Sequence, residues 1–410
     1  MFSYDLKQVF NSSRIALGEV ELEPCSYIAN IPNIEPNYIF ELNVLNEVLL
    51  YLFHPFKDCL YISGPSGCGK TSMLLQIAAR LNWGVEQITL SNKCEALDLI
   101  GHTTLRKGEI IYEYGPLTRA MLYGEILILN EIDMMSPGDL SVLNDVLEGK
   151  PLTIVANNGE VIKPHPQFRV VATANTKGFG DDTGFYNGAR LLNQAFLDRW
   201  RFIEMDYHRP KFEMEMLKKN FPNLSHDITK KLVHFAYDMR TSVNLGNESG
   251  IHQISAPFSS RCLLKVAGIL SLDAGLSIHK IMKMCYSLRL PQSEAEFVQR
   301  LCDDIFGHEE DFLRNTQINN LKEDVSATLE KTKEERDSAN DATSLESLLE
   351  ESMEDLPNND NESKVTSENP TIEVIDKKDS DPTNNETKKS KSKSTKACKN
   401  TKLAQEKKIA

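Results

Sequence analysis

From about residue 38 to residue 207, short apolar runs alternate with longer stretches whose apolar residues recur every three or four positions. The short runs are 59–63, 85–90, 125–130, 169–174 and 201–205. Ile126-Leu127-Ile128-Leu129 is apolar at every position, as a strand covered on both faces must be. The stretch 38–53 places Leu42, Val44, Leu45, Val48, Leu49 and Leu52 on one side of a helix. This alternation predicts an α/β domain over 31–207, a parallel sheet with helices on both faces. Two hairpins interrupt it, one near 103–114 turning at Lys107-Gly108, the other near 152–163 turning at Asn157-Asn158-Gly159.

Beyond residue 208 the pattern is helical only. Helices are expected at 211–220, 227–242, 259–271, 276–286 and 292–305, which make a small α-helical lid domain over 208–309. Residues 1–30 carry no sustained period and are expected to form a short N-terminal arm. Past residue 310 apolar content collapses, and the low-complexity tail to 410 is expected to be mostly disordered, with one short amphipathic helix at Leu345–Met353. No internal repeat is visible.

Charge narrows the function. The 410 residues carry a net charge of −13, acidic between Lys322 and Asp360 and lysine-rich between Lys388 and Lys408. A net acidic chain without aromatic–basic interleaving argues against a nucleic-acid partner. The eight cysteines show no C-x-x-C spacing, so no zinc site is expected and a reduced, cytoplasmic setting is. The start lacks a charged segment followed by an apolar one, and no run approaches the ~20 residues of a membrane helix, so neither a signal peptide nor membrane insertion is expected.

The candidate chemistry begins at Gly64-Pro65-Ser66-Gly67-Cys68-Gly69-Lys70-Thr71, followed by Ser72. This G-x-x-x-x-G-K-[ST] loop lies between an apolar run and a helix-period run. Its glycines let successive backbone N–H groups face a phosphate, and the helix N-terminus adds partial positive charge. Lys70 would reach the β- and γ-phosphates of ATP and Thr71 would bind Mg2+. About sixty residues on, a buried strand ends in Asn130-Glu131-Ile132-Asp133. An Asp usually holds Mg2+ at such a place and the next residue, Glu131 here, polarises the attacking water. Asn130 replaces that Asp, which leaves Mg2+ to Thr71, Asn130 and the phosphates, with Asp133 supplying part of the missing charge. Asn175, at the tip of the run 169–174, is placed to hold water or read a γ-phosphate. Arg199, expected to end a helix starting near Leu191, suits a finger reaching a neighbouring subunit. Arg261 opens a lid helix, where a cation opposes the helix dipole and a ligand role is the better reading.

Taken together, Lys70, Glu131, Asn175, Arg199 and Arg261 resemble the set of an AAA+ ATPase. The hairpin at 152–163 resembles the helix-2 insert of the MoxR clade, and residues 171–200, with Ala96–Gly101, Tyr114–Leu117 and Ile34–Phe40, resemble the CobS-like branch. The resemblance implies a P-loop NTPase fold and a homo-oligomeric ring, a hexamer, with ATP sites between subunits. It also implies a chaperone-like motor acting on a partner with a von Willebrand A domain. No D-x-S-x-S motif occurs, so that domain is expected in trans. Tyr186–Arg190 depart from the CobS pattern. The expected function is ATP hydrolysis that remodels, activates or metal-loads a partner. The alternatives are a nucleotide-gated scaffold, a cobaltochelatase motor subunit and a nucleic-acid motor.

Overall fold

A computed structural model describes residues 1–181, 186–249 and 254–308, with the side chains of 243–249 excepted. The expected low-complexity tail and its helix at 345–353 lie outside these residues. The strands, in chain order, are β1 (Phe2–Asp5), β2 (Glu19–Leu22), β3 (Cys59–Ser63), β4 (Val85–Thr89), β5 (Gly101–Arg106), β6 (Glu109–Tyr114), β7 (Ile126–Asn130), β8 (Leu152–Ile154), β9 (Glu160–Ile162), β10 (Arg169–Ala174) and β11 (Trp200–Glu204).

Five of these form one sheet in the order β11-β3-β10-β7-β4, and every neighbouring pair is parallel. The continuous apolar runs are explained by the two cores. Cys59, Tyr61, Leu127, Leu129, Val170 and Ala172 face one core, while Leu60, Ile62, Ile126, Ile128 and Val171 face the other. Successive side chains of a strand point to opposite faces, so only an all-apolar strand can serve both. The fold is therefore the expected P-loop α/β architecture with helices on both faces.

Three local differences have physical causes. Residues 1–30 do more than an arm would: β1 and β2 pair antiparallel, and Leu6, Phe10, Ile15 and Leu22 join the core beneath the helices Leu42–Phe53 and Lys70–Arg80. The hairpin that interrupts the helix after the second sheet strand is β5–β6, between the helices Ala96–Ile100 and Pro116–Tyr123. The β8–β9 hairpin, matched in the sequence to a helix-2 insert, sits one crossover later, before β10. The expected helix from Leu191 to Arg199 shrinks to Gln194–Leu197, because Leu191 is bridged to Phe179 and Asn193 caps the helix through Ala195 N–H.

The helical segment beyond β11 comprises Pro210–Asn220, His226–Ser249, Ser260–Ser271, Ile278–Cys285 and Gln292–Phe306. Its own core includes Phe235, Phe258, Leu263, Val266, Met282 and Tyr286. One polar cluster is buried within it. Glu213, 1% exposed, accepts from both terminal nitrogens of Arg240 (3.0 and 2.9 Å) and from the Ser260 hydroxyl (2.8 Å).

Candidate functional site

The parallel sheet brings three strand ends together. Ser63 ends β3, Asn130 ends β7 and Ala174 ends β10, with Ala174 paired to Ser63 and Thr173 to Asn130. Loops at the C-terminal edge of such a sheet form its natural ligand crevice. Here that edge carries residues 64–72, 131–133 and 175–176.

The loop 64–69 is fixed by backbone geometry. Gly64, Gly67 and Gly69 have φ of 153, 77 and 105°, values closed to side-chain-bearing residues except at a cost. A Cβ on Gly64 would lie 2.0 Å from the Met205 carbonyl oxygen, and one on Gly67 would lie 2.8 Å from Ser259 Cβ. The second contact shows how closely the helical segment sits against the loop. Arg261 N–H donates to the Gly67 carbonyl at 3.3 Å.

Lys70 begins the helix Lys70–Arg80 and is 8% exposed. Its ammonium donates to the carbonyls of Gly64 (2.6 Å) and Pro65 (3.1 Å) and to Asn175 Oδ1 (3.0 Å). Asn175 Nδ2 in turn donates to Glu131 Oε2 at 2.7 Å. Asn175 thus bridges the lysine and the glutamate. Desolvation lowers the Lys70 pKa and raises that of Glu131, which the nearby Asp133 raises further while Lys70 and Arg261 oppose the rise. Glu131 is also held at φ 56°, a left-handed conformation unusual for glutamate and of the kind that clusters at functional sites.

Thr71 Oγ1 donates to Asn130 Oδ1 at 2.7 Å, and Thr173 Oγ1 donates to the same oxygen at 3.0 Å. Asp133 lies deeper. It is 1% exposed, and its Oδ2 accepts from Thr176 N–H (3.0 Å) and hydroxyl (2.8 Å), leaving Oδ1 without a partner among the described residues. That arrangement ties the turn after β7 to the turn after β10 and so orients Asn175.

Two of the sequence candidates stand apart from this cluster. Arg261 packs against the loop by its backbone, and its exposed side chain lines clefts on both sides. Arg199 is at the other end of the sheet. Its carbonyl accepts from Cys59 N–H at the start of β3, a full strand, or about 16 Å, from the loop. There its guanidinium donates to Glu148 Oε1 (2.9 and 2.6 Å) and to the Ala195 carbonyl.

The structure adds residues that no motif marked. Tyr207 donates its hydroxyl to the Ser66 carbonyl at 2.9 Å, and Ser66 N–H donates to the Tyr186 hydroxyl at 3.2 Å. The Arg240 guanidinium lies 4.3 Å from the Tyr207 ring centroid, which links the loop to the buried Glu213 cluster. Beside Gly67–Gly69 and Ser72, a cavity of about 230 Å³ is lined by Tyr38, Ile39, His208, Phe212 and Met216. His208 stacks on Phe212 with ring centroids 4.2 Å apart. Apolar and aromatic walls with a few polar groups suit a planar heterocycle. Besides the loop residues and Arg261, the segment Ile34–Phe40 is the part of this cavity that the sequence had flagged.

A phosphate-binding loop, a strand-end glutamate, a bridging asparagine and a base-sized cleft therefore meet at one sheet edge. Residues 60–199 match the profile of the AAA domain of the dynein-related subfamily. NorQ of Paracoccus denitrificans (strain Pd 1222) is 30% identical over 190 residues, 46% of this chain and 67% of NorQ. The chain belongs to the dynein-related AAA family. Its likeness to the aerobic cobaltochelatase subunit CobS of a Sinorhizobium species is 34% over 179 residues, 43% of this chain and 53% of CobS. The chain thus spans about half of CobS. A third relative, von Willebrand factor A domain-containing protein 8 of Mus musculus, is 26% identical over 264 residues, 58% of this chain and 13% of that protein. The family is one of ATP-binding P-loop proteins, and this AAA protein is of the MoxR-like kind. Among the described residues, no helix is long and apolar enough to cross a membrane.

Proposed function

We propose that this AAA protein binds ATP with Mg2+ and hydrolyses it in a ring of its own copies to remodel, activate or metal-load a partner protein. The observation that carries the reading is the bridge Lys70–Asn175–Glu131 beneath the glycine loop. With substrate present, Lys70 exchanges the Gly64 and Pro65 carbonyls for phosphate oxygens. Asn175 then keeps Glu131 oriented toward the terminal phosphate. Glu131 accepts a proton from water as the water oxygen bonds to the γ-phosphorus. The bond to the β-phosphate oxygen breaks, giving ADP and phosphate.

Thr71, Asn130 and the phosphates offer hard oxygen donors, which fit Mg2+. Bound there, the ion would neutralise charge on the transferring phosphoryl group. Asp133 is committed to Thr176 and contributes its charge from a distance. The loss of the usual carboxylate at Asn130 favours a second reading, in which slow hydrolysis leaves ATP as an assembly ligand for a scaffold.

In a ring, Arg199 would serve the site of the adjacent copy, since it lies a strand's length from its own. The likeness to CobS supports an action tied to metal loading, and the likeness to a von Willebrand A domain-containing protein supports a client of that type. The seven described cysteines are unpaired, which supports a reducing cytoplasmic setting. The test is ATP turnover of wild type and Glu131→Gln with Mg2+. Turnover should fall by about 10²–10⁴-fold with nucleotide binding retained. Equal turnover in the two proteins would exclude Glu131 as the base and the motor reading with it.

A further inference from the structure

The chain that leaves β11 runs along the phosphate loop before it enters the helical segment. Met205 N–H donates to the Ser63 carbonyl at 2.8 Å, and the Met205 carbonyl is the atom that leaves no room for a Cβ on Gly64. Two residues on, the Tyr207 hydroxyl donates to the Ser66 carbonyl at 2.9 Å. Burial raises the Tyr207 pKa, so the hydroxyl keeps its proton at neutral pH and stays a donor. The ring of the same residue meets the lid. It carries the Arg240 guanidinium at 4.3 Å, and Arg240 is fixed in turn by both carboxylate oxygens of Glu213 and by the Phe258 carbonyl at 2.7 Å. Glu213 also accepts from the hydroxyl of Ser260, which opens the helix whose Arg261 N–H donates to the Gly67 carbonyl. The lid thus grips two successive loop carbonyls, Ser66 through Tyr207 and Gly67 through Arg261.

What Tyr207 holds is one peptide plane. No peptide bond among the described residues is cis, so the Ser66 carbonyl and the Gly67 N–H, which share a planar unit, point in opposite directions. With the carbonyl turned to Tyr207, the N–H is turned away from it. That N–H makes no hydrogen bond among the described residues, so it is a loop donor open to an anion. The plane turns easily, because it pivots on the φ of Gly67, at 77°, and glycine accepts either sign of φ. Turned over, it presents a carbonyl oxygen where an anion needs a donor. An orientation that the backbone does not enforce needs an anchor. Among the described residues, Tyr207 supplies the one side-chain hydrogen bond to this unit.

We infer that Tyr207 is a positioning residue for the nucleotide: its hydroxyl sets the Ser66–Gly67 plane so that the Gly67 N–H faces a phosphate, and its ring ties that setting to the lid through Arg240 and Glu213. This rests on the proposed ATP-binding reading.

The experiment measures dissociation constants of ADP and of a non-hydrolysable ATP analogue for the full chain, with melting curves taken without nucleotide. The proteins compared are wild type, Tyr207→Phe, Glu213→Gln, their double variant, and Lys70→Ala as control. Tyr207→Phe keeps the ring under Arg240 and removes the hydroxyl alone. Its loop then divides between orientations, and apparent affinity falls with the competent fraction. Both nucleotides should bind roughly fivefold more weakly, the population shift that one hydrogen bond governs. In turnover the loss should fall on KM, with kcat within about twofold of wild type. Glu213→Gln keeps an oxygen for Arg240 and Ser260 while weakening the pair, and should act in the same direction. The double variant should lose less than the product of the two single losses, because both work through one plane. A Tyr207→Phe protein that binds both nucleotides as wild type does, whatever its melting temperature, overturns the inference, and so does a loss confined to the triphosphate. Multiplicative losses overturn the tie to the lid. Failure of the ATP-binding reading is distinct, because wild type would then bind neither nucleotide and Lys70→Ala would change nothing.

Discussion

The two ends of the central sheet are built differently. At the C-terminal edge, hydrogen bonds of 2.7–3.0 Å within one chain hold Lys70–Asn175–Glu131 in one set and Thr71–Asn130 in another. At the N-terminal edge, Arg199 is paired with Glu148 and faces no part of that cluster. The first end has a network that makes sense within a single copy. The second holds a guanidinium in a defined orientation with no substrate group of its own chain to act on. Glu148 is half-buried and also pairs with Lys150 at 2.7 Å, so this ion pair is a weak, exchangeable tether rather than a fully buried structural bridge. The contrast teaches that one end is assembled by folding and that the other, on the proposed reading, is assembled by association.

The strongest way to break this comparison is to mix two inactive variants. Arg199→Ala should lower ATP turnover by about 10³-fold or more, the scale of a missing arginine finger. Lys70→Ala should abolish nucleotide binding at its own site. Mixed in equal amounts, the two should recover a measurable fraction of wild-type turnover, because a Lys70→Ala copy still offers Arg199 to a neighbour with an intact loop. If the mixture stays as inactive as either variant alone, with mixed oligomers shown to form, then Arg199 acts within its own chain or not at all.

A smaller effect sharpens the C-terminal edge. Asn130→Asp restores a carboxylate while keeping an oxygen acceptor for Thr71 and Thr173. Turnover should rise several-fold, to about tenfold for 1.4 kcal/mol of added transition-state stabilisation, and half-saturation should shift to lower Mg2+. A titration of rate against Mg2+ measures both. An unchanged rate and Mg2+ dependence would show that the amide suffices, and would remove the ground for the scaffold reading.

Much of the sheet was legible because its strands are buried on both faces. Burial forces continuous apolar runs such as Ile126–Leu129, and these leave no ambiguity of period. The phosphate loop was legible because its glycines sit where side chains cannot, as the 2.0 Å approach at Gly64 shows. Tyr207, Tyr186 and the Arg240–Glu213 pair were not legible. Each acts through a contact far apart in sequence, Tyr207 with Ser66 and Arg240 with Glu213, and tyrosine or arginine at such spacing has no local signature. The N-terminal hairpin escaped for a related reason. Its strands β1 and β2 are joined through a one-turn helix at Leu6–Val9 instead of a two-residue hairpin turn, so the core contribution of Leu6 and Leu22 follows neither helical nor strand spacing.

The smallest expected effect concerns the energetic cost of keeping the C-terminal edge ready. Glu131 has its pKa raised by desolvation and by Asp133, so the folded state disfavours its charged form. A carboxylate of this kind has the opposite sign from a salt-bridged one. The folded state binds its proton more tightly than the unfolded chain does, so stability falls as pH rises from the ordinary glutamate range through the raised value. The whole penalty is present once both states are ionised and vanishes below the ordinary range. Glu131→Gln removes the charge and keeps an oxygen to accept from Asn175. The nucleotide-free variant should therefore melt at a higher temperature than wild type at pH 8. The difference should close as pH falls toward 4.5, the ordinary value for a glutamate. The Arg199 end predicts no such gain, because Glu148 has its pKa lowered by hydrogen bonds from Lys150 and Arg199. Melting curves of Glu131→Gln and Glu148→Gln against pH, without nucleotide, measure both. A Glu131→Gln protein no more stable than wild type at pH 8 would mean that the strand-end glutamate is not held under electrostatic strain. The two ends of the sheet would then differ in geometry alone.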